Sequence, residues 1–468
     1  MLVAYECCNN HRGARIDAAR AASVKRWLIL ILIGVVAIAA WPLFGTRYAR
    51  ASYPYVAPVL PDYSHRDQTV VFYEREIRED PLDQIAARML AAQYMARYRE
   101  TLDVGDILRG IREAKRALVL QPYNDAAAQE IMASGYYALH KFHTALALES
   151  NAHLAQPSDV NAPAQMALLE MEMGHYEVAR HDLDVARHIK DNEAVWSAQA
   201  RYDEMTGNLA QAKILMARAS EHADAIIDNP ASARAWYHYR LGQMEFSSGH
   251  VAKAEDEERI ALIDFPGFEM GYRALARFCW GDRDWTCALD AAKKGAAIIP
   301  EPETLGYEAD AQQALGDAAG AKQTQALIGA VERIGNAYHI NDRLLSVYYS
   351  EHGVRLNDSL QIARREAAKR GNEVHAQDTL AWAAAMDGQW STAYRAMSIA
   401  TRFHTQDPRV LFHAGMIELH FGHRNRAEAY LKETLALNPR FDPVYGSVAR
   451  DTLATLSPTW WSNLRRNL

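Results

Sequence analysis

Four cysteines in 468 residues are too few for a disulfide framework. An excess of positive charge is missing too: 51 Lys and Arg face 58 Asp and Glu, a formal net charge of −7. Nucleic-acid binding calls for a basic domain or stripe, so that class is set aside. Catalytic signatures are also lacking. There is no Gly-x-x-x-x-Gly-Lys-Ser/Thr phosphate loop, no His-Glu-x-x-His, no Gly-x-Ser-x-Gly elbow and no kinase set. The expectation is therefore a chain that is not an enzyme and uses no cofactor. What is present is 49% apolar and 23% charged residues, the balance of a foldable chain. Length alone suggests about three domains at roughly 150 residues each, but here the length is made by repetition.

One apolar run stands out. Trp27 to Phe44 reads WLILILIGVVAIAAWPLF without a charge, about 27 Å of helix against a hydrocarbon core of roughly 30 Å. Trp27 and Trp41 sit near its ends, where indoles favour the membrane interface. Arg12, Arg15, Arg20, Lys25 and Arg26 precede it and only Arg47 and Arg50 follow closely. That asymmetry places the amino terminus in the cytoplasm and the rest across the membrane. A cleaved signal peptide is the competing reading, because Ala49-Arg50-Ala51 and Ala37-Ile38-Ala39 fit a small-x-small site. Either reading exports the body. Cys7 and Cys8 precede the apolar run, so there is no lipobox.

Beyond Pro54, Pro58 and Pro61 the pattern turns helical and periodic. A glycine with a polar neighbour recurs at Gly174, Gly207, Gly249, Gly316, Gly388 and Gly422, and five residues after each stands Ala179, Ala212, Ala254, Ala321, Ala393 or Ala427. Gly110, Ala145, Ala288 and a degenerate Ser359 extend this row, with steps of 35, 34, 33, 42, 34, 33, 38, 34 and 34. Twelve residues earlier runs a second row of mostly small residues, including Ala133, Ala167, Ala200, Gly242, Ala276, Ala309, Ala381 and Gly415. A third, seven residues later, includes Ala117, Ala152, Ala186, Ala219, Ala261, Gly295 and Ala400, with Ile328, Glu366 and Thr434 as lapses. Helices approach closely only where crossing points carry little side chain. Pro122, Pro157, Pro266, Pro300 and Pro439 end several units.

This pattern of small residue, Gly-x-x-x-x-Ala, small residue and terminal proline resembles the tetratricopeptide repeat, over roughly residues 82–440. The resemblance implies an all-α, right-handed solenoid of about ten helical hairpins. The expected organisation is a cytoplasmic segment over 1–26, a membrane helix over 27–44, a linker over 45–65, the solenoid over 66–440, and a cap with a basic-aromatic tail over 441–468. Residues 68–81 read as an orphan second helix, and FDPVYGSVARDTLATL as a terminal cap covering the last apolar face. Extra residues lie in ETLDVGD and around 223–232.

Such solenoids bind along the concave surface of their first helices. In this register positions five, nine and twelve give Arg201, Tyr239, Gln243, Phe246, Arg273, Arg277, Trp280, Trp382, Phe412 and Met416. Arginine and aromatic residues are the types enriched at binding hot spots. Arg273 and Arg277, one turn apart, suit bidentate reception of a carboxylate. The 18 histidines read as turn and surface residues, and no ligand set for a metal is complete. Cys279 and Cys287 flank one hairpin turn and are candidates for a disulfide in an oxidising compartment.

The functional expectation is a membrane-anchored, non-catalytic scaffold on the periplasmic side of an inner membrane, binding a protein partner in its groove. Envelope assembly or secretion is the setting that family analogy suggests. Two alternatives stay open: a structural subunit of a large membrane complex, and a carbohydrate-binding accessory protein of polysaccharide export that stacks sugars on Trp280, Trp382 and Tyr239.

Overall fold

The computed structural model describes residues 61–121, 125–335 and 342–456; the expected membrane segment 27–44 and the basic-aromatic tail lie outside them. Among the described residues there are 22 α-helices and no strand. None of these helices is long and apolar enough to cross a membrane. A short 3-10 turn, Asp62–His65, leads into α1 (Arg66–Glu79). Ten antiparallel hairpins follow: α2 (Gln84–Thr101) with α3 (Val104–Leu120), α4 (Ala126–Ala138) with α5 (Phe142–Ala155), α6 (Asn161–Glu172) with α7 (Tyr176–Ile189), α8 (Glu193–Met205) with α9 (Leu209–Ala225), and α10 (Ala231–Ser247) with α11 (Val251–Asp264). The second five are α12 (Glu269–Gly281) with α13 (Trp285–Ile298), α14 (Pro302–Ala314) with α15 (Ala318–Gly335), α16 (Asp342–Glu351) with α17 (Leu356–Arg370), α18 (Val374–Met386) with α19 (Trp390–Ala400), and α20 (Pro408–His420) with α21 (Arg424–Leu437). The last helix, α22 (Tyr445–Leu456), packs on α21. Helix α1 covers most of residues 68–81, and α22 lies within 441–456.

The three small-residue rows are the crossing points. Ala145, Ala179, Ala212, Ala254, Ala288, Ala393 and Ala427 have no exposed surface at all, and Ala321 has 1%. At Gly110 a methyl group would sit 3.0 Å from Met95 Sδ and 3.3 Å from the Ala91 carbonyl on the facing helix. The eighth hairpin breaks the rule with serines on both sides, and each satisfies the other. Ser346 Oγ donates to the Ser359 carbonyl at 3.0 Å, and Ser359 Oγ to the Ser346 carbonyl at 2.8 Å. Glu366, another lapse, is neutralised at 3.0 Å by Arg370. Helices α5, α11, α13 and α21 each stop two residues before Pro157, Pro266, Pro300 and Pro439, because proline has no N–H and clashes with the preceding turn. The extra residues around 223–232 lengthen α9 and α10 to 17 residues apiece instead of forming a loop.

Three of the hairpin turns share a Glu-x-x-x-Gly-His clamp. His175, His250 and His423 place Nδ1 at 2.7, 2.5 and 2.6 Å from Glu170, Glu245 and Glu418, five residues back. Each histidine N–H also donates to the same glutamate's carbonyl, at 2.9, 2.9 and 3.0 Å. The glycine between them lies in the left-handed region, φ 75°, 78° and 76°. These turn histidines therefore lock the corner between two helices.

The superhelix closes on itself. The turn of the third hairpin touches the segment after the eighth, that of the fourth the segment after the ninth, and that of the fifth the end of the tenth. Tyr176 stacks edge-on with Phe403 at 5.1 Å, Leu209 N–H donates to Gln406 at 3.1 Å, and Asn438 Nδ2 donates to the Phe246 carbonyl at 2.7 Å. Arg370 pairs with Glu172 across the same seam. At the amino-terminal end Asp62 accepts from Ala231 N–H at 3.0 Å, and Tyr63 packs on Phe265.

Closure gives two chemically similar glycines different burdens. Gly207 (φ 83°) and Gly388 (φ 78°) both need the left-handed conformation. A methyl on Gly207 would lie 2.4 Å from the His404 carbonyl oxygen, whereas one on Gly388 would meet nothing within 4 Å. Gly388→Ala should lose about 1–2 kcal/mol, the left-handed backbone cost. Gly207→Ala should lose a further ~1–3 kcal/mol through displacement of the neighbouring turn. Urea unfolding of both variants measures the difference; equal losses would mean the seam contributes nothing.

Candidate functional site

Because the array closes, its first helices turn one face toward a common interior. A cavity of about 380 Å³ lies there. Side chains from nine first helices line it, from Tyr137 on α4 round to Arg409 and His413 on α20. Asp407 caps α20 by accepting the backbone N–H groups of Arg409 and Val410 at 2.8 and 3.3 Å, and Pro408 begins that helix without an N–H to satisfy. This Asp-Pro start sets Arg409 at the cavity wall.

Of the residues read from the sequence as groove-lining, Arg201, Tyr239, Gln243, Arg273, Arg277 and Trp382 do line the cavity. Four do not. Phe246 is 1% exposed and stacks on Phe278 of the next hairpin at 4.4 Å. Trp280 is buried against Tyr307, with Nε1 donating to Asp310 at 2.9 Å. Both stand at position twelve, where the first helix ends and its side chain turns into the contact between hairpins. Phe412 stacks on Tyr445 of the cap helix at 4.7 Å, and Met416 packs into the same core. The sequence reading missed the inward residues near the start and middle of the first helices: Trp236, Arg240, Glu303, His375, Arg409 and His413. Their signal is ionisable or aromatic residues recurring at the second and sixth positions of the repeat, one turn before positions five and nine. Trp382 is 8% exposed and lies flat on His413, centroids 4.2 Å apart, so neither it nor Trp280 offers an open platform for a sugar.

The cavity is ionic, and its two sides differ. Toward the early hairpins every charge is answered. Glu204 accepts from Arg240 at 2.5 Å and from Arg201 at 3.4 Å. Glu172 lies between Arg370 and Arg201 and takes the Tyr137 hydroxyl at 3.3 Å. Burial pushes the Glu172 carboxyl up, yet the two guanidinium groups outweigh it and hold it below 4.5. Toward the late hairpins Arg273 is shared by Glu269 and Glu303, both at 3.5 Å. The expected Arg273–Arg277 carboxylate clamp is thus half spent on internal partners. Arg277 instead donates to Gln243 at 3.2 Å, lies 5.0 Å over the Phe246 ring, and has no carboxylate in ion-pair reach among the described residues.

Two histidines outside the turns, His238 and His413, are buried more deeply than the sequence suggested. His140, in the turn of the second hairpin, is held down at about 4 by burial and by Arg370 and Lys369. His238, unremarked in the sequence, lies between Glu257 at 2.7 Å and Asp224 at 3.1 Å. Burial opposes its charge, but the two carboxylates raise its pKa overall. With Asp224 and Asp264 it forms a group whose ligand atoms all lie within 4.8 Å of one another. Asp264 is itself paired with Arg234 at 3.3 Å, so the group stands as a network of ion pairs. Cys279 and Cys287 are joined as a disulfide across the sixth hairpin, Cα atoms 5.7 Å apart.

Glu303 gives the site a pH signature. Burial raises its carboxyl, but Arg273, Arg409 and Arg277 outweigh burial and, with the Tyr307 hydroxyl at 2.8 Å, hold it at about 2 against an ordinary 4.5. A depressed folded-state pKa contributes stability that is present above 4.5 and lost as pH falls through about 2. Glu303→Gln should therefore cost roughly 2–3 kcal/mol near neutral pH and almost nothing near pH 2. Urea midpoints at the two pH values check this; a pH-independent loss would mean the arginines do not act through charge.

No family model matches the chain, and no curated protein does. Solved structures similar to it include a thermophilic TPR protein of Thermus thermophilus, at 20% identity over 39% of this chain and 91% of that one, TM-score 0.32. PilW, a widely conserved type IV pilus biogenesis factor, matches at 18% identity over 44% and 92%, TM-score 0.37. Human IFIT1, in a dimer with PPP-AAAA, matches at 14% identity over 68% and 72%, TM-score 0.46. The chain's own ten hairpins, with their buried small-residue crossings and with left-handed turn glycines in seven of them, make its fold that of a tetratricopeptide-type helical repeat protein.

Proposed function

We propose that the chain is a non-catalytic interaction scaffold that receives a protein partner on its inner surface. In this reading the segment 27–44 tethers it to a membrane, with the solenoid on the side opposite the amino terminus. The carrying observation is the convergence of arginine and aromatic side chains from seven of the nine lining first helices on one cavity. Such residues dominate the energetics of protein interfaces. The cavity's volume, about 380 Å³, sits at the lower end of the roughly 300–1,000 Å³ typical of ligand pockets. A helix with its side chains is ~10–12 Å across, so an extended segment suits the interior better than a helix does. A tether confines the search to the membrane surface and raises effective concentration toward partners held there. Envelope assembly or secretion is the setting this reading favours.

A structural-subunit role is the second reading, and one observation favours it. Second helices expose Val119, Leu154 and Ile263 at 72%, 76% and 79% on the outer side of their hairpins. A photo-crosslinking residue at Gln243, inside, and another at Leu154, outside, separate the two in native membranes. The scaffold reading expects a discrete adduct from Gln243; adducts from Leu154 alone would replace it with the subunit reading. The tether is checked independently. The chain should stay with membranes in alkaline carbonate and leave them in detergent, and release by carbonate would remove segment 27–44 as an anchor.

A further inference from the structure

We infer that the late-hairpin side of the cavity is a binding site for a small zwitterion, a molecule carrying a carboxylate and a protonated amine. This goes beyond the scaffold reading, since the occupant is a small molecule and not a protein segment. The inference starts from polar atoms that the fold buries without a hydrogen-bond partner. Four of them belong to residues lining this one cavity: Arg277 Nε, Arg409 Nε, His413 Nε2 and Glu351 Oε1. An unpartnered buried polar group costs about 1–3 kcal/mol, so their gathering is an arrangement the fold alone does not reward.

The four atoms divide into donors and acceptors. Arg277 has no carboxylate in ion-pair reach among the described residues, and neither has Arg343 on the same wall. Their guanidinium groups, with Arg409 Nε, make up the donor half, which a carboxylate answers. His413 is 2% exposed and its Nδ1 lies 2.8 Å from Asp378. In the tautomer that donates from Nδ1 to Asp378, Nε2 is left to accept. Glu351 lies 3.1 Å from Arg409 as an ion pair, but its Oε1 receives no aligned hydrogen bond. These two form the acceptor half, which an ammonium group answers. A simple anion would leave His413 Nε2 unanswered, and a simple cation would leave Arg277 Nε and Arg409 Nε so. The early-hairpin side, by contrast, has spent its charges on the Glu204 and Glu172 ion pairs.

The test uses the full chain in detergent, with the twenty free L-amino acids and a set of dipeptides as probes at millimolar concentration. At least one free zwitterion should raise the Tm saturably by several degrees, and its N-acetyl and carboxamide derivatives should not. Arg277→Met removes the unpartnered Nε donor together with the Gln243 hydrogen bond and one of the charges acting on Glu303, so the unliganded Tm should fall by a few degrees while calorimetric affinity for the same probe, measured on the folded variant, falls at least tenfold. An amino acid that binds with no dipeptide following, or the reverse, tells which source of zwitterion the site accepts; either supports the inference. No shift with any probe overturns it, as do equal shifts with the blocked derivatives or unchanged affinity in Arg277→Met. Such a failure would leave the scaffold reading standing, because that reading is decided by the Gln243 adduct.

Discussion

Close approach of helices at points that carry almost no side chain is the constraint from which the rest follows. In most hairpins a small residue on the first helix meets a small residue on the second, and a third lets the next hairpin settle against the pair. Ala200, Ala212 and Ala219 are wholly buried together in the fourth hairpin, as are Ala381, Ala393 and Ala400 in the ninth. Repeating that geometry fixes a rotation from one hairpin to the next, and a fixed rotation makes a superhelix. Here the curvature is tight enough that hairpin turns meet chain five hairpins further on. An array that would otherwise have a broad open groove thereby acquires an interior.

Enclosure changes the electrostatics of the inner face. Charges along an open groove are screened by water and need no partner. Inside a closed turn they are partly desolvated, and each must be neutralised or stand at a cost. The interior accordingly mixes signs: Glu172, Glu204 and Glu303 alternate round the wall with Arg201, Arg240 and Arg273. The direction of the pKa changes reports the same competition. Guanidinium neighbours win at Glu303, which is held at about 2, while burial wins at Glu351, which is raised.

The fold was legible because its determinants are local and periodic. A glycine that must adopt a left-handed turn, an alanine that must vanish at a crossing and a proline that must end a helix each depend on neighbours within one repeat. Ser346 and Ser359 show the limit of that logic, since each looks like a lapse alone and makes sense only beside the other. The site was half legible. Position nine faces inward in hairpins four, five, six and nine, and Arg201, Gln243, Arg277 and Trp382 were identified from it. Phe246 and Trp280 failed because position twelve lies where adjacent hairpins meet, a fact set by superhelical rotation and not by helical periodicity. Phe412 and Met416 failed because the cap helix covers the last hairpin. The seam itself had no sequence signal: Gly207 and Gly388 occupy the same place in the repeat, and only three dimensions tell them apart.

Closure also alters how stability is distributed. An open solenoid is close to a one-dimensional chain in which each repeat contacts only its neighbours, so ends fray and stability adds up pair by pair. The contacts from Glu172 to Arg370, Leu209 to Gln406 and Phe246 to Asn438 link hairpins five apart. They couple early repeats to late ones, so loss of the last hairpins removes support from the third, fourth and fifth. The seam is mixed: single hydrogen bonds, each worth only about 0.5–1.5 kcal/mol net, stand beside the Glu172–Arg370 ion pair and the packing of Val374 and Phe403 on Tyr176. The hairpins beneath it are apolar and interlocked. Separation of successive turns breaks fewer apolar contacts than prising a hairpin apart, and it would widen the way into the cavity. The interaction that encloses the interior is weaker than the one that builds the repeats, and so access and integrity are governed by different residues.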